Sequence, residues 1–385
     1  MLRVLMTLTL AGAATLGSTL ANATTFDLLV GTYTQGSSQG LYRLRFDSQT
    51  GQIASDPVQV IKADNPSWLT LNKAQTRLFV SNENGPGAKD PVGRVSSYRI
   101  DPATHEVTAV NQVESKGDEP THASLSQDEQ FLFVSNYAVA PDPGGSLAVL
   151  PVKEDGTLGE AVQQFRNAPS KVNPERQAGG HVHSVVSNRG YVYANDLGAD
   201  RIFIYRYQNN PKAPLNPASP ASVALPPGSG PRHLQFDASG DHAWLTLEMP
   251  AQVASFQWRA GNLVRTQLQD LVPGQQPAQG AGGGLHLSPD GKFLYVANRG
   301  AVNELVVYAV DREGGLKPVQ RRSIEGDHPR EFTLDPTGHF VLVANQKSNE
   351  IVVMERDVKT GMINRTVQHY TQDSPSDLKF LLPPQ

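Results

Sequence analysis

Short runs of alternating apolar and polar residues fill the chain, each bounded by Gly, Pro, Asn or Asp, and one unit of this grammar keeps returning. A full copy is Gly228-Ser229-Gly230-Pro231-Arg232-His233-Leu234-Gln235-Phe236-Asp237, followed by Ala243-Trp244-Leu245-Thr246-Leu247-Glu248. It reads as a polar turn, an alternating strand, a second turn, and an apolar strand that ends on a carboxylate. The second strand, apolar-Val-small-Asn-polar in its commonest form, recurs at Leu28 to Tyr33, Leu78 to Glu83, Phe131 to Tyr137, Tyr191 to Asp196, Ala243 to Glu248, Leu294 to Arg299 and Val341 to Gln346. The spacing is roughly fifty residues, a period that marks a propeller or an array. A third alternating strand follows, as in Gly40 to Phe46, Arg201 to Tyr207 and Glu304 to Val310. Asp-x-x-Thr-Gly turns at Asp47 to Gly51 and Asp357 to Gly361 then lead into a fourth, more polar strand. Four strands make one blade, so the pattern predicts an all-β, seven-bladed β-propeller.

The chain ends decide how the ring closes. Pro375 to Leu382 carries the first-strand pattern with no second strand after it, and residues 24–385 open on a second strand, Phe26 to Thr32. Pairing these two halves in one blade closes the ring and leaves no open array edge. Ahead of the domain, Arg3, the apolar stretch Val4 to Leu20 and Ala21-Asn22-Ala23 read as a signal peptide, residues 1–23, cleaved after Ala23. An uncleaved anchor is the competing reading, but the stretch is short for a span and broken by Thr and Gly. Export of a chain without cysteine implies a core that holds without disulfides and suits a bacterial periplasm. A formal charge of −4 with no basic cluster argues against a nucleic-acid partner. No membrane association is expected after cleavage, and the expected state is a monomer or weak dimer.

In a propeller the first strand of each blade lines the central channel, so the residues that open it gather at one mouth. Those positions read Pro66-Ser67, Pro120-Thr121-His122, His181-Val182-His183, Pro231-Arg232-His233, Gly284-Leu285-His286, Pro329-Arg330-Glu331 and Pro375-Ser376-Asp377. The ends of the second strands should converge there too, bringing Glu83, Tyr137, Asp196, Glu248, Arg299 and Gln346. Segments 84–94, 138–145, 166–180 and 273–284 are expected as loops that shape the mouth. Ring polar residues often only brace neighbouring blades, and the recurring Asn82, Asn136, Asn195, Asn298 and Asn345 suit that role. Arg232 and Arg330 differ, because an axial Arg with no partner nearby in sequence needs an anion or carbonyl to face. His181 and His183 stand at i and i+2, one face of a strand, so a Ca²⁺ or Zn²⁺ site stays open there, although the further ligands it needs are not evident in the sequence. No nucleophile elbow, phosphate loop or dinucleotide fingerprint is present.

Taken in order, Gly31-Thr32-Tyr33-Thr34, Asn65-Pro66-Ser67, Asn136-Tyr137, His181-Val182-His183-Ser184, Asp196-Leu197-Gly198-Ala199-Asp200-Arg201, Gly230-Pro231-Arg232-His233, Asn298-Arg299-Gly300 and Pro329-Arg330-Glu331-Phe332 resemble the seven-bladed β-propeller lactonases. That family includes a cytosolic 6-phosphogluconolactonase and, by shared fold, fungal carboxy-muconate lactonising enzymes. With an export signal, the resemblance is to its periplasmic gluconolactonase branch. It implies a hydrolase that opens glucono-1,5-lactone or a related aldonolactone without metal or cofactor, its small-molecule partner being a sugar lactone. The family's His, two Arg and Glu would fall on His183, Arg232, Arg330 and Glu248, with Glu83, His122, His181, His286 and Arg299 as expected substrate-binding residues. The chain departs at Leu247-Glu248-Met249-Pro250, where relatives tend to have Asn-Glu. A 6-phosphogluconolactonase, a muconate-type cycloisomerase and a non-catalytic ligand-binding propeller stay open as alternatives.

Overall fold

The computed structural model describes residues 25–138, 145–274 and 280–383. The expected signal peptide lies outside these residues, as do positions 139–144 and 275–279 of two expected mouth loops. The described chain forms seven antiparallel sheets, each traced outward from an inner strand. One blade runs Pro66–Leu71, Arg77–Asn82, Arg94–Ile100 and Val107–Glu114, and another Pro231–Phe236, His242–Leu247, Gln252–Arg259 and Asn262–Asp270. The closing blade pairs Thr25–Thr32 with Pro375–Leu381 on one side and Gly40–Asp47 on the other, as the sequence pattern predicts. Its outer strand is split into Gln52–Ile53 and Gln59–Lys62, both paired with Gly40–Asp47. Inner strands neighbour one another in chain order, and Pro375–Leu381 returns to Pro66–Leu71, so the ring is closed.

Alternation explains the packing. Second strands such as Phe131–Asn136 and Phe340–Asn345 are buried on both faces, because each blade is covered by the next. Outer strands such as Val107–Glu114 are mostly exposed, matching their polar composition. Apolar side chains fill the wedges between neighbouring sheets: Tyr193, Ile202 and Ile204 from one blade meet Leu234, Leu245 and Phe256 from the next. The recurring asparagines brace this stack, with Asn82 Nδ2 donating to Asp64 O at 2.7 Å and Asn136 Nδ2 to Ser115 O at 2.8 Å.

Two features at the mouth end go beyond what alternation predicts. All seven pairings of an inner strand with its second strand are broken by a register shift at that end. The extra residue is Ser67 between the paired Pro66 and Trp68, His183 between Val182 and Ser184, and Arg330 between Pro329 and Glu331. Arg232 and His233 lie together within the shift between Pro231 and Leu234. A bulge residue leaves the ladder and can aim its side chain independently of strand parity.

The second feature corrects the sequence reading of 273–284 as loop: Gly280–Leu287 is an inner strand, with Gly280, Ala281 and Gly282 paired to Gly300, Arg299 and Asn298. Glycine is needed there because other groups fill the space a side chain would take. A Cβ on Gly284 would lie 2.1 Å from Glu331 Oε1. That carboxylate is buried and bonded by His286, so it has little room to withdraw. Gly284→Ala is expected to destabilise the fold by about 1–3 kcal/mol, the usual cost of overpacking. Equilibrium urea unfolding measures it, and an unchanged midpoint would show that Glu331 relaxes freely.

Candidate active site

Strand register sorts the polar residues of the channel into tiers. The outermost tier is the residue before each inner strand. In six blades its carbonyl accepts a hydrogen bond from the N–H of the residue that follows the second strand: Asn65 from Glu83, Glu119 from Tyr137, His181 from Leu197, Gly230 from Glu248, His328 from Gln346 and Ser374 from Tyr33, at 2.8–3.0 Å. This bond is why the two sets of positions converge. Glu119 and His328 hold φ of 50° and 62° to make it, a conformation that costs a residue with a side chain about 1 kcal/mol or more. The bulge tier, carrying Thr121, His183, Arg232 and Arg330, comes next. Deeper still lie Trp68, His122, His233, Glu331 and Asp377. His122 therefore sits one position further in than His183, although sequence reading set them level. His286 is three positions further in, about 10 Å along the strand.

Glu248 is the meeting point. Its Oε2 lies 2.9 Å from Arg299 Nη2, 3.2 Å from Arg232 Nε and 4.0 Å from His183 Nε2. Its Oε1 accepts from Arg176 Nη2 at 2.6 Å. Burial alone would raise this carboxyl, but Arg299, Arg232 and Arg176 together hold it well below the usual range, so it is ionised at any neutral pH. Arg232 is 1% exposed, and burial with Arg299 and Arg330 nearby pushes it down to about 9, still a cation at neutral pH. Its Nε and Nη1 have no hydrogen-bond partner, since the Nε contact with Glu248 is close but poorly aligned. His183 is buried and its Nδ1 is likewise unpartnered. Burial first, then Arg232, hold this imidazole well below its ordinary value and keep it neutral.

Arg330 and Glu83 form a second pair at the mouth, Nη2 to Oε1 at 3.3 Å, with Tyr33 Oη donating to Glu83 Oε2 at 2.8 Å and the Arg330 guanidinium 5.5 Å from the Tyr33 ring centre. His181 stacks on Tyr137, ring centres 4.7 Å apart, and its Nδ1 lies 2.7 Å from Tyr137 O. The bulge at His183 thus gives the two histidines different partners. His122 packs against Trp68, ring centres 4.2 Å apart and tilted by 31°, and His286 Nε2 bonds Glu331 Oε1 at 2.9 Å, both below the mouth. Among the described residues, no group of three or more His, Asp or Glu is disposed to hold a metal ion.

Three residues of the mouth escaped the sequence reading. Arg176 lies in the 166–180 segment, where nothing in local pattern marks it. Glu119 and His328 precede the prolines at which that reading began, and alignment with Asn65 and Gly230 would have exposed them. Burial first, then Glu83 and Asp118, raise Glu119 to about 7, while burial, Arg299 and Arg330 lower His328 to about 3. Outside the mouth, a groove of about 540 Å³ runs between Val172, Glu175, Met249 and Pro250 beside Glu248. A cavity of about 570 Å³ lined by Thr70, Ser124, Asn188 and Gly240 lies at the opposite end of the channel, away from these ionisable groups.

The structure is thus a seven-bladed propeller whose axial mouth gathers histidine, arginine and glutamate side chains from several blades. Residues 27–380 match the family model described as Lactonase, 7-bladed beta-propeller, and the chain belongs to that family of lactone-opening enzymes. It is 32% identical over 357 residues to the 6-phosphogluconolactonase of Bacillus subtilis, covering 91% of this chain and 97% of the relative. It is 29% identical over 362 residues to the 6-phosphogluconolactonase of Formosa agariphila, covering 92% and 99%. Among solved structures, the Pseudomonas aeruginosa periplasmic gluconolactonase PpgL superposes with a TM-score of 0.91 at 49% identity, covering 94% of this chain and 100% of the other.

The neutral histidines make stability depend on pH with a definite sign. Burial first, then Arg232, lower His233 to about 3, whereas a histidine in the unfolded chain titrates near 6.5. Its contribution is complete above about pH 6.5 and is lost as the pH falls toward 3, because only the unfolded state binds the proton. Glu248 and Glu331, held low, begin to lose theirs only below about pH 4.3. Glu119, held high, acts in the opposite direction. His233→Gln is therefore expected to reduce the fall in unfolding free energy between pH 6.5 and 5 by about 1 kcal/mol per pH unit. Urea unfolding at several pH values checks it; an unaltered slope would mean that His233 takes up a proton in the fold.

Proposed function

We propose that this protein is a periplasmic lactonase that hydrolyses glucono-1,5-lactone, or a related aldonolactone, to the aldonic acid by metal-independent attack of water. The observation that carries this reading is the convergence of His183, Arg232 and Arg299 on Glu248 from separate blades. Opening the ring needs an acceptor for the water proton and a cation for the developing oxyanion. Neutral His183 accepts the proton as the water oxygen bonds the carbonyl carbon. The imidazolium that forms faces ionised Glu248, whose Oε2 lies 4.0 Å from Nε2 and stabilises it by charge. Glu248 itself is too strongly held by three guanidinium groups to serve as the base. Arg232, with its unpartnered Nη1, donates to the carbonyl oxygen, and Arg330 and Glu83 contact sugar hydroxyls. The tetrahedral intermediate collapses with cleavage of the ring C–O bond, the proton passing from His183 to the ring oxygen. A sugar 1,5-lactone is already reactive in water, so a weak base in a well-oriented site suffices.

Export by the signal peptide and the likeness to PpgL support an unphosphorylated substrate in the periplasm. The names of the Bacillus and Formosa relatives favour a second reading, 6-phosphogluconolactone, which the surplus of arginines at the mouth accommodates.

In a pH-stat assay on glucono-1,5-lactone, Arg232→Ala and Glu248→Gln are each expected to lower kcat/KM by about a hundredfold or more, the scale seen on losing an oxyanion donor or a triad carboxylate. A chelator is expected to leave the rate unchanged, and the 6-phosphorylated lactone to be the poorer substrate. Both variants retaining full kcat/KM would remove this site from the reaction.

A further inference from the structure

Arg176 is the one arginine of the Glu248 cluster that comes from a loop instead of a strand end. That loop is firmly built. Ser170 N donates to Gly198 O at 2.8 Å, and Asn173 Oδ1 accepts from Glu175 N and Arg176 N, both at 3.0 Å. The next residue, Gln177, is fully buried, and its Nε2 donates to Leu197 O at 2.9 Å and Asp200 Oδ1 at 2.7 Å. Between these anchors the Arg176 guanidinium reaches over the mouth to Glu248 Oε1 at 2.6 Å and Tyr137 Oη at 3.1 Å, with its side chain 43% exposed.

The charge of Glu248 is already balanced without Arg176, although its Oε1 accepts from that guanidinium. Arg232 and Arg299 already sit on Oε2, and Arg330 is matched by Glu83. A third guanidinium leaves the cluster positive and facing solvent, a field that draws an anion in. Independently, Arg232 is buried with Nη1 lacking any acceptor. Guanidinium donors in a buried site are met by carboxylate or phosphate oxygens, in fork geometry where two are available. Hydrolysis of a lactone turns the attacked carbon into a carboxylate, so the reaction proposed above generates such an anion at this spot.

We propose that Arg176 and Arg232 form an oxyanion site over Glu248 that holds the carboxylate of the ring-opened aldonic acid, which makes Arg176 a ligand-contacting residue that governs how tightly the acid is retained. This rests on the lactonase reading for the origin of the acid, but binding is measurable without turnover.

The test is calorimetric titration of the full mature protein with gluconate, 6-phosphogluconate and inorganic phosphate. Arg176→Gln is expected to weaken gluconate by about ten- to a hundredfold, the worth of a charge-assisted hydrogen bond, and Arg176→Lys to recover part of the loss. Wild-type affinity should fall with added salt, and less steeply in Arg176→Gln. The melting temperature should hold in both variants, because the guanidinium is half-exposed and Gln177 anchors the loop. Equal gluconate affinity in wild type and both variants overturns the proposal. So does an Arg176 effect confined to 6-phosphogluconate and phosphate, which would assign the site to a phosphoryl group. Arg176-dependent gluconate binding without lactone turnover would sink the hydrolase reading and keep this one; turnover with gluconate binding indifferent to Arg176 would do the reverse.

Discussion

One extra residue per inner strand organises the mouth of this propeller. In a regular ladder neighbouring side chains point to opposite faces, so only alternate positions would face the axis. The bulge at the start of each inner strand removes that restriction where the strands converge. His183, Arg232 and Arg330 occupy it, and adjacent residues such as Arg330 and Glu331 consequently find different partners, Glu83 for one and His286 for the other. In six blades the hydrogen bond from the residue after the second strand to the residue before the inner strand ties the bulge to the same level. A closed ring fixes the circumference, and seven such devices make a polar rim on an apolar body.

Electrostatics at that rim is a balance among buried charges. Glu248 is stabilised by three guanidinium groups, while Arg232 is destabilised by two others, and neither would be tolerable alone. The buried charges are mutually dependent, so removal of Arg232, Arg299 or Glu248 strands a partner in a poorly solvated place. His183 remains neutral next to Glu248 because burial and surrounding arginines outweigh the attraction of that carboxylate. Deeper in the channel, Glu331 draws its partners from His286 and His233, and the absence of a side chain at Gly284 makes room for it. The glycine-rich segment is thus part of the site's architecture, although as a string of small residues it reads as a loop.

Much of this was legible before any coordinates. Periodic apolar strands revealed the blades, and the unmatched first strand at Pro375 revealed the closure, because both follow from local pattern repeated at fixed spacing. His183, Arg232, Glu248 and Arg299 were singled out from their places beside the strand turns, and they do meet. Arg176 was not, since a loop residue has no period to betray it. Sequence reading sets His122 and His286 level with His183, because counting from a proline or glycine does not reveal that Val182 and Gly282 are the residues level with Pro120.

What the sequence alone determined is therefore the repeated unit, the number of repeats and the way the ends join, all consequences of side-chain alternation and turn chemistry that act within a few residues. Tertiary structure decided depth and pairing: which imidazole faces Glu248, which is sealed against Trp68, and which loop arginine closes the cluster. Those outcomes depend on register shifts and on charges brought together from distant blades, and a charge has no partner until the ring brings one within reach.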